Sequence, residues 1–510
     1  MSTTHTPGPT AMTGPSRPAN RWLVLAICCL SVGVTGIDLT IVNVALPSIS
    51  RDLHASLNSL QWTVDAYSLV MACLLMLSGA MADRFGRKRI FQLGLSLFGL
   101  GSLLCALAPS VGWLIAFRGL QAVGASMLNP VAMAIIVSVF TDRQERARAI
   151  GVWGSVIGIT MAAGPVLGGL LVSGIGWRSV FWINVPIGIA AILLTQRFVP
   201  ESKAARGRAF DPPGQALIIV LFASITAATI EGPSHGWADP WIVWLLVLAA
   251  LALIAMLIVE PRRSEPLIDL RFFRSPPFSG ANTISVVMSA SLGGFLFLNT
   301  LYLQDSRHFS PLQAGLMIIP MAVGQAVAAN LSGRLLASRG ARLPLTLGGA
   351  LLAVGAFLLV PLTAHTASVY LLATYAIFGL GAGMVSPPVT NTAVSGLPPD
   401  QVGVAGAIAA SARQFGASIG VAVTGSIVAS TGAGFINSSH AAWALLGGCG
   451  VAALALGVIS TSSWAKDAAA RNGQRLATTP ISESQGHPLP SRSADPTAAR
   501  QEQRGPTHDH

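Results

Sequence analysis

Residues 33 to 47 read GVTGIDLTIVNVALP, an apolar run that carries one carboxylate, Asp38, with no basic residue near it in sequence. Burial disfavours the charged form of a carboxylate. A group in that position is suited to load a proton from one side of a barrier and release it on the other. If the cargo is a cation, proton and cargo compete for one negative site, and competition produces exchange. The alternative is a packing role, with Asp38 hydrogen-bonded to Thr40 or Asn43. A second carboxylate, Asp65 in QWTVDAYSL, either joins this chemistry or faces a headgroup region near the start of its helix. The run FRGLQAVGASMLNP (117–130) sets Arg118 and Gln121 one helical turn apart on one face. A buried arginine in a bilayer costs several kcal/mol unless it is paired. GVAGAIAASARQFGASIG (403–420) places Arg413 and Gln414 in another small-residue, apolar stretch.

Two further motifs shape helices. GAMADRFGRKR (79–89) packs one carboxylate and four cations into a short loop. There Gly79 and Gly86 suit a tight turn and close helix approach. Asp83, with Arg84 and Arg87, suits a breakable latch on the loop side, Asp83 capping the next helix or accepting bonds from a neighbouring helix end. GSVIGITMAAGPVLGGLL (154–171) holds Gly154 and Gly158 four apart, then Gly164 and Gly168 four apart, around Pro165. Small residues at that spacing let backbones touch, and the proline bends the helix.

The elements that must position these groups are read from composition. Of 510 residues, 52% are hydrophobic and 10% charged, with mean hydropathy +0.63. Soluble domains carry about 25% charge, so the deficit indicates a bilayer. Fourteen stretches meet the span length of roughly 20 residues: 22–46, 59–81, 89–108, 111–136, 147–172, 177–198, 213–231, 239–259, 278–303, 311–336, 343–362, 366–390, 403–430 and 438–461. Placing the N-terminus in the cytoplasm puts 26 of the 31 Lys and Arg on that side and three outside, with Arg118 and Arg413 inside spans. That asymmetry follows the positive-inside rule and expects both termini to be cytoplasmic. Net charge +11 is therefore a membrane signature, not a nucleic-acid one. Glu231, Asp239, Glu260 and Asp305 fall at span ends and are expected at the interface.

The repeat of GAMADRFGRKR in GRLLASRGAR (333–342) matches Gly79 and Gly86 with Gly333 and Gly340, while Ala337 replaces Asp83. GLQAVGA (119–125) is matched by GLGAGMV (379–385), and Phe378 replaces Arg118. Two related halves, the polar machinery kept in the first, is a transporter architecture. The expected organisation is a disordered N-terminus (1–20), a six-helix bundle (21–200), two inserted spans with linkers (201–262), a second six-helix bundle (263–464) and a disordered tail (465–510).

Other chemistries find no support. The five cysteines lie in apolar spans without metal-ligand spacing, and no histidine lies deep in a span. No phosphate-binding GxxxxGK[ST] loop and no nucleophile–base pair occurs, so no enzyme activity, metal or cofactor is expected. Energy then comes from an ion gradient or a partner subunit.

These residues resemble the 14-span drug:proton antiporter branch of the major facilitator superfamily. GAMADRFGRKR looks like its loop signature, RGLQAVGA its fourth-span signature with Ala122 where glycine is usual, and GSVIGITMAAGPVLGG its antiporter signature. IDLTIVNVALPSI and WRSVFWINVPIG (177–188) resemble the first- and sixth-span signatures, and YLQDSRHFSPLQAGL fits the second half. The resemblance covers about 22–460. It implies an all-α membrane protein of the major facilitator fold, two six-helix bundles plus two central spans. It also implies alternating access, Asp83 and Arg87 in the latch, Arg118 in proton transfer, and Gly164 and Pro165 in the antiporter helix. The implied function is proton-coupled export of amphipathic or cationic compounds across the bacterial plasma membrane, with protons and a small molecule as partners. Dedicated export of one self-made metabolite is the alternative, and the antiporter motif argues against a proton-symport importer. A monomer is expected, and a periplasmic adaptor is left open.

Overall fold

The computed structural model describes residues 21–203, 211–263, 266–395, 397, 401–430 and 434–478; the expected disordered N-terminus and most of the expected disordered tail lie outside them. Those residues are helical nearly throughout. In chain order they form α1 (Arg21–Leu53), α2 (Leu57–Phe85), α3 (Arg87–Ala106), α4 (Val111–Val139), α5 (Arg143–Gly174), α6 (Ser179–Trp182), α7 (Asn184–Phe198), α8 (Pro212–His235), α9 (Pro240–Val259), α10 (Pro276–Leu301), α11 (Pro311–Met317), α12 (Ile319–Arg339), α13 (Arg342–Phe357), α14 (Ser368–Val394), α15 (Val402–Ser430), α16 (Phe435–Ser460) and α17 (Ser463–Thr478).

Local chemistry sets the boundaries. Proline stands at the first turn of α8, α9, α10 and α11, where its missing N–H costs nothing. Side chains of Ser56, Asp142, Asp211, Asp239 and Ser310 cap helix starts by accepting from otherwise orphaned amides. Twelve helices among the described residues are long and apolar enough to cross a membrane. α13 and α15 occupy the places of the other two expected spans. α9 is the most apolar of the twelve, and Val243, Leu246, Val247, Leu251, Ile254 and Leu257 lie bare on it.

The halves repeat. α2 ends at Gly86 with φ +110° before α3, and α12 ends at Gly340 with φ +77° before α13. Both positions need the backbone freedom of glycine. Gly79 and Gly333 each have no neighbour within 4 Å of a Cβ built there. The expectation that Gly79 mediates a close approach is therefore corrected: the turn is made by Gly86 alone. α3 packs on α4 through Gly94, Gly101 and Gly124, and α13 packs on α14 through Gly348, Gly355 and Gly381.

Between the halves, α5 meets α11 at Gly169, where a Cβ would stand 2.7 Å from Leu312 Cα, and at Gly315, where it would stand 2.2 Å from the Pro165 carbonyl. Leu312 N also donates to Ser173 Oγ at 3.3 Å. On the other side α2 meets α15. Gln61 Nε2 donates to the carbonyls of Ala422 (2.9 Å) and Val421 (3.3 Å). α8 lies beside this seam, with Phe222 stacked on Phe415 at 4.0 Å.

The stretch from 465, expected to be disordered, is helical through Thr478. Its alanines favour helix, and Ala465, Ala469 and Asn472 form one buried stripe. Asn472 Nδ2 donates to the Arg271 carbonyl at 3.1 Å.

Candidate functional site

Asp38 is wholly buried in α1, and the structure gives it the partner its sequence neighbourhood lacks. Arg118 Nη1, from α4, lies 2.6 Å from Asp38 Oδ2. Gln121 Nε2 donates to Asp38 Oδ1 at 2.9 Å, and Asn184 Nδ2 donates to the same oxygen at 2.9 Å. Arg118 Nη1 also donates to Gln121 Oε1 at 2.7 Å, closing a three-residue ring. Ser102 Oγ accepts from Gln121 Nε2 at 2.7 Å. The remaining guanidinium edge is used too, because Nε donates to the Thr63 carbonyl at 3.3 Å. The guanidinium carbon stands 4.1 Å from the Tyr67 ring centre, a desolvated cation–π contact of about 2 kcal/mol.

Each member arrives by a local cause. The 118/121 spacing puts both α4 side chains on one face. The break between α6 and α7 at Ile183 opens α7 with Asn184 at the level of Asp38. Neither packing partner named from sequence is used. Thr40 donates instead to carbonyls of Ile37 and Met161, and Asn43 to that of Leu39. Asp38 meets three donors instead, one of them a cation, and removing one partner of such a buried pair costs about 3–5 kcal/mol.

Asp65 is not at an interface. It is wholly buried in α2, both its oxygens lack a hydrogen-bond donor among the described residues, and the α15 hydroxyl of Ser418 is beside it. It does not join the Asp38 cluster. Gln414 Nε2 reaches Met71 Sδ across the same α2–α15 seam at 3.3 Å. Arg413 is partly buried, and its side chain makes no ion pair among the described residues.

In the loop, Asp83 pairs with Arg87 at 3.0 Å, one turn on, and Arg87 Nη1 reaches the Ala134 carbonyl at 3.4 Å. Glu201 does what was expected of Asp83: its carboxylate accepts from Lys88 N at 3.1 Å and stands 3.7 Å from Arg89. A Cβ on Gly86 would lie 2.7 Å from Glu201 Oε1. Arg84 sits 5.8 Å from the Phe85 ring centre.

The antiporter-type helix divides in two. A Cβ on Gly164 would stand 1.9 Å from Thr40 Oγ1, and one on Gly168 would stand 2.8 Å from Ile41. Gly154 and Gly158 have nothing within 4 Å, so the first glycine pair, expected at a helix contact, packs on nothing here. A groove of about 540 Å³ runs between α1, α5 and α7, lined by Trp22, Cys29, Gly33, Val156, Thr160 and Ile187 among others.

Sequence reasoning missed Asn184, Ser102 and Tyr67. The one signal for Asn184 was an amide inside an apolar span, and nothing in sequence tied it to Asp38. Glu260, expected at the interface, is buried at 1% exposure.

Two helical bundles with a charged cluster locked in the first define a polytopic membrane transporter. The comparisons agree. The model of the Major Facilitator Superfamily matches residues 28–421, and the chain belongs to that family. It is a multi-pass plasma membrane protein. It is 37% identical over 412 residues to the multidrug resistance protein Stp of Mycobacterium tuberculosis, covering 80% of this chain and 76% of that one. To the methylenomycin A resistance protein of Streptomyces coelicolor it is 35% identical over 397 residues, covering 78% and 83%. To the tetracenomycin C resistance and export protein of Streptomyces glaucescens it is 35% identical over 410 residues, covering 80% and 76%. The fold is similar to that of a crystallised peptide transporter POT, with TM-score 0.64 at 15% identity over 88% of this chain and 95% of that one. It is also similar to a nucleoside transporter NupG, with TM-score 0.62 at 13% identity over 86% and 98%.

Proposed function

We propose that this chain is a proton-coupled antiporter that exports amphipathic or cationic drugs by alternating access. It would use fourteen spans, α13 and α15 included, with both termini cytoplasmic. The observation that carries the reading is the fully buried Asp38–Arg118 pair at 2.6 Å, an expense that intramembrane groups bear for function. A proton reaching Asp38 cancels the charge that Arg118, Gln121 and Asn184 together neutralise. Arg118 then loses its counter-ion, and the ring that ties α1, α4 and α7 loosens. Asp65, buried at the α2–α15 seam beside Ser418 and outside the Asp38 cluster, is the second proton-coupling carboxylate and a site for a cationic cargo. With the N-terminus cytoplasmic, the α5–α11 contact at Gly169 and Gly315 is the external seal. The Asp83–Arg87 loop and its Glu201 clasp sit at the cytoplasmic end. No cofactor is needed, since the proton gradient supplies the energy.

Relatives named for single antibiotics support a second reading, dedicated export of one self-made compound. The test uses inside-out vesicles from a host without its own efflux pumps, with the lumen acidified and ethidium as probe. Dye accumulation coupled to proton leak in wild type, lost in Asp38→Asn and Asp65→Asn, supports the proposal. Equal dye movement without a gradient defeats proton coupling. Failure to move a panel of cations leaves the dedicated exporter.

A further inference from the structure

Two carboxylates outside the Asp38 cluster meet where the inserted hairpin joins the chain. Asp211 caps α8: its Oδ1 accepts from Gly214 N at 3.2 Å and its Oδ2 from Leu267 N at 3.2 Å. Glu260 closes α9, and its Oε2 accepts from Ile268 N at 3.3 Å. The other oxygen, Glu260 Oε1, has no donor among the described residues. It converges with Asp211 Oδ2 over the bare Cα of Gly214. A Cβ built there would stand 2.1 Å from Glu260 Oε1 and 2.5 Å from Asp211 Oδ2. Glu260 is 1% exposed and Asp211 7%.

Among the described residues the surroundings offer little charge. Arg263 Nε, on a solvent-exposed side chain, lies 3.8 Å from Asp211 Oδ1. Asp269, further along the linker, is committed to Arg271 at 2.7 Å. From α8 itself the next polar side chain, Gln215, donates to the Cys73 carbonyl of α2 at 2.8 Å. The remaining neighbours are apolar: Leu267, Ile268, Ile218 and Phe272 belong to one buried cluster. Two carboxylates this close, with Arg263 as the one partly solvated cation beside them among the described residues, do not both ionise cheaply. A proton on one of them also supplies the donor that Glu260 Oε1 lacks, and a buried oxygen left without one costs about 1–3 kcal/mol.

We propose that Asp211 and Glu260 hold one proton between them at neutral pH, a proton site separate from the transport cluster that fastens the α8–α9 hairpin to the Leu267–Ile268 segment entering the second bundle. Loss of that proton sets two like charges against each other at the joint between the halves. With the sidedness proposed above, the pair faces the cytoplasmic end and responds to cytoplasmic pH.

The test uses the full chain in detergent and needs no transport assay, so it stands apart from the export reading. Infrared difference spectra are titrated for wild type, Glu260→Gln, Asp38→Asn and Asp65→Asn. The expected result is a protonated-carboxyl band component that persists above about pH 7, far beyond ordinary carboxylates, is lost in Glu260→Gln and is kept in Asp38→Asn and Asp65→Asn. The folded chain then holds a proton that the unfolded chain has released, so stability falls as pH rises. Between about pH 5 and pH 7 the thermal midpoint of wild type drops more than that of Glu260→Gln. If Glu260→Gln does not fold, Asp211→Asn serves: removing the repelling neighbour keeps the band but lowers its midpoint by about one pH unit or more. A band that does not differ between wild type and whichever of Glu260→Gln and Asp211→Asn folds, or equal pH dependence of their midpoints, overturns the proposal.

Discussion

Phe378 occupies in α14 the place that Arg118 holds in α4. Where Arg118 grips Asp38, Phe378 stacks on Phe295 of α10 at 4.4 Å, with Tyr375 and Trp443 around the same ring. One bundle is built around an ion pair and its twin around aromatic packing. In the proposed mechanism a charge-neutralising event at Asp38 would therefore act within the first bundle, whose twin has aromatic packing at the matching position.

Arg118→Lys should fail despite keeping the charge. A lysine ammonium is a point donor and does not span Asp38, Gln121 and the Thr63 carbonyl as the planar fork does. The expected loss in proton-driven ethidium efflux is about 100-fold or more, from leaving a buried charge short by roughly 3 kcal/mol. Efflux within about twofold of wild type would show that Arg118 acts only as a counter-charge.

Asn184→Ala removes one of the three donors to Asp38 without removing the cation. A hydrogen bond to a charged group contributes about 1.5–3 kcal/mol. The ionised state is weakened, so the pH for half-maximal efflux should rise by about one unit or more. An unchanged pH profile with lowered expression would mean that Asn184 only packs α7 against α1.

The glycines of α5 should separate into two classes. Gly164→Ala forces a Cβ onto Thr40 and should destabilise the protein by about 1–3 kcal/mol. Gly154→Ala meets open space and should stabilise it by up to about 1 kcal/mol through the unfolded chain. Thermal midpoints of the purified variants check the contrast; equal shifts would contradict the α5 packing.

A single methyl group tests the seam. Gly169 and Leu312 approach across the bundles, with a Cβ built on Gly169 standing 2.7 Å from Leu312 Cα. Gly169→Ala should therefore push the halves apart at this end and destabilise the protein by about 1–3 kcal/mol, read as a lower thermal midpoint. An unchanged midpoint would contradict the α5–α11 contact.

Gly86→Ala places a side chain at φ +110° and against Glu201. A loss of about 1–3 kcal/mol is expected, read as a lower thermal midpoint. Glu201→Ala in the same background should relieve the clash and recover part of it.

By itself the sequence determined the membrane environment, the helix content, the two-half repeat and the identity of Asp38 and Arg118 as the costly groups. These follow from local quantities: hydropathy over a span length, charge counts in loops, and residue types that a bilayer penalises. It also placed Gln121 beside Arg118, because helical spacing is a local rule. The tertiary structure decided partnerships. Asp38 and Arg118 are 80 residues apart and Asn184 lies 146 from Asp38, so their meeting depends on how α1, α4 and α7 pack, which no periodicity encodes. The same holds for Asp65 and Glu260, both near span ends in sequence yet buried, because a neighbouring helix or linker covers each. Gly164 and Gly154 have the same spacing signature, and only the presence of α1 against one of them separates a contact from open space.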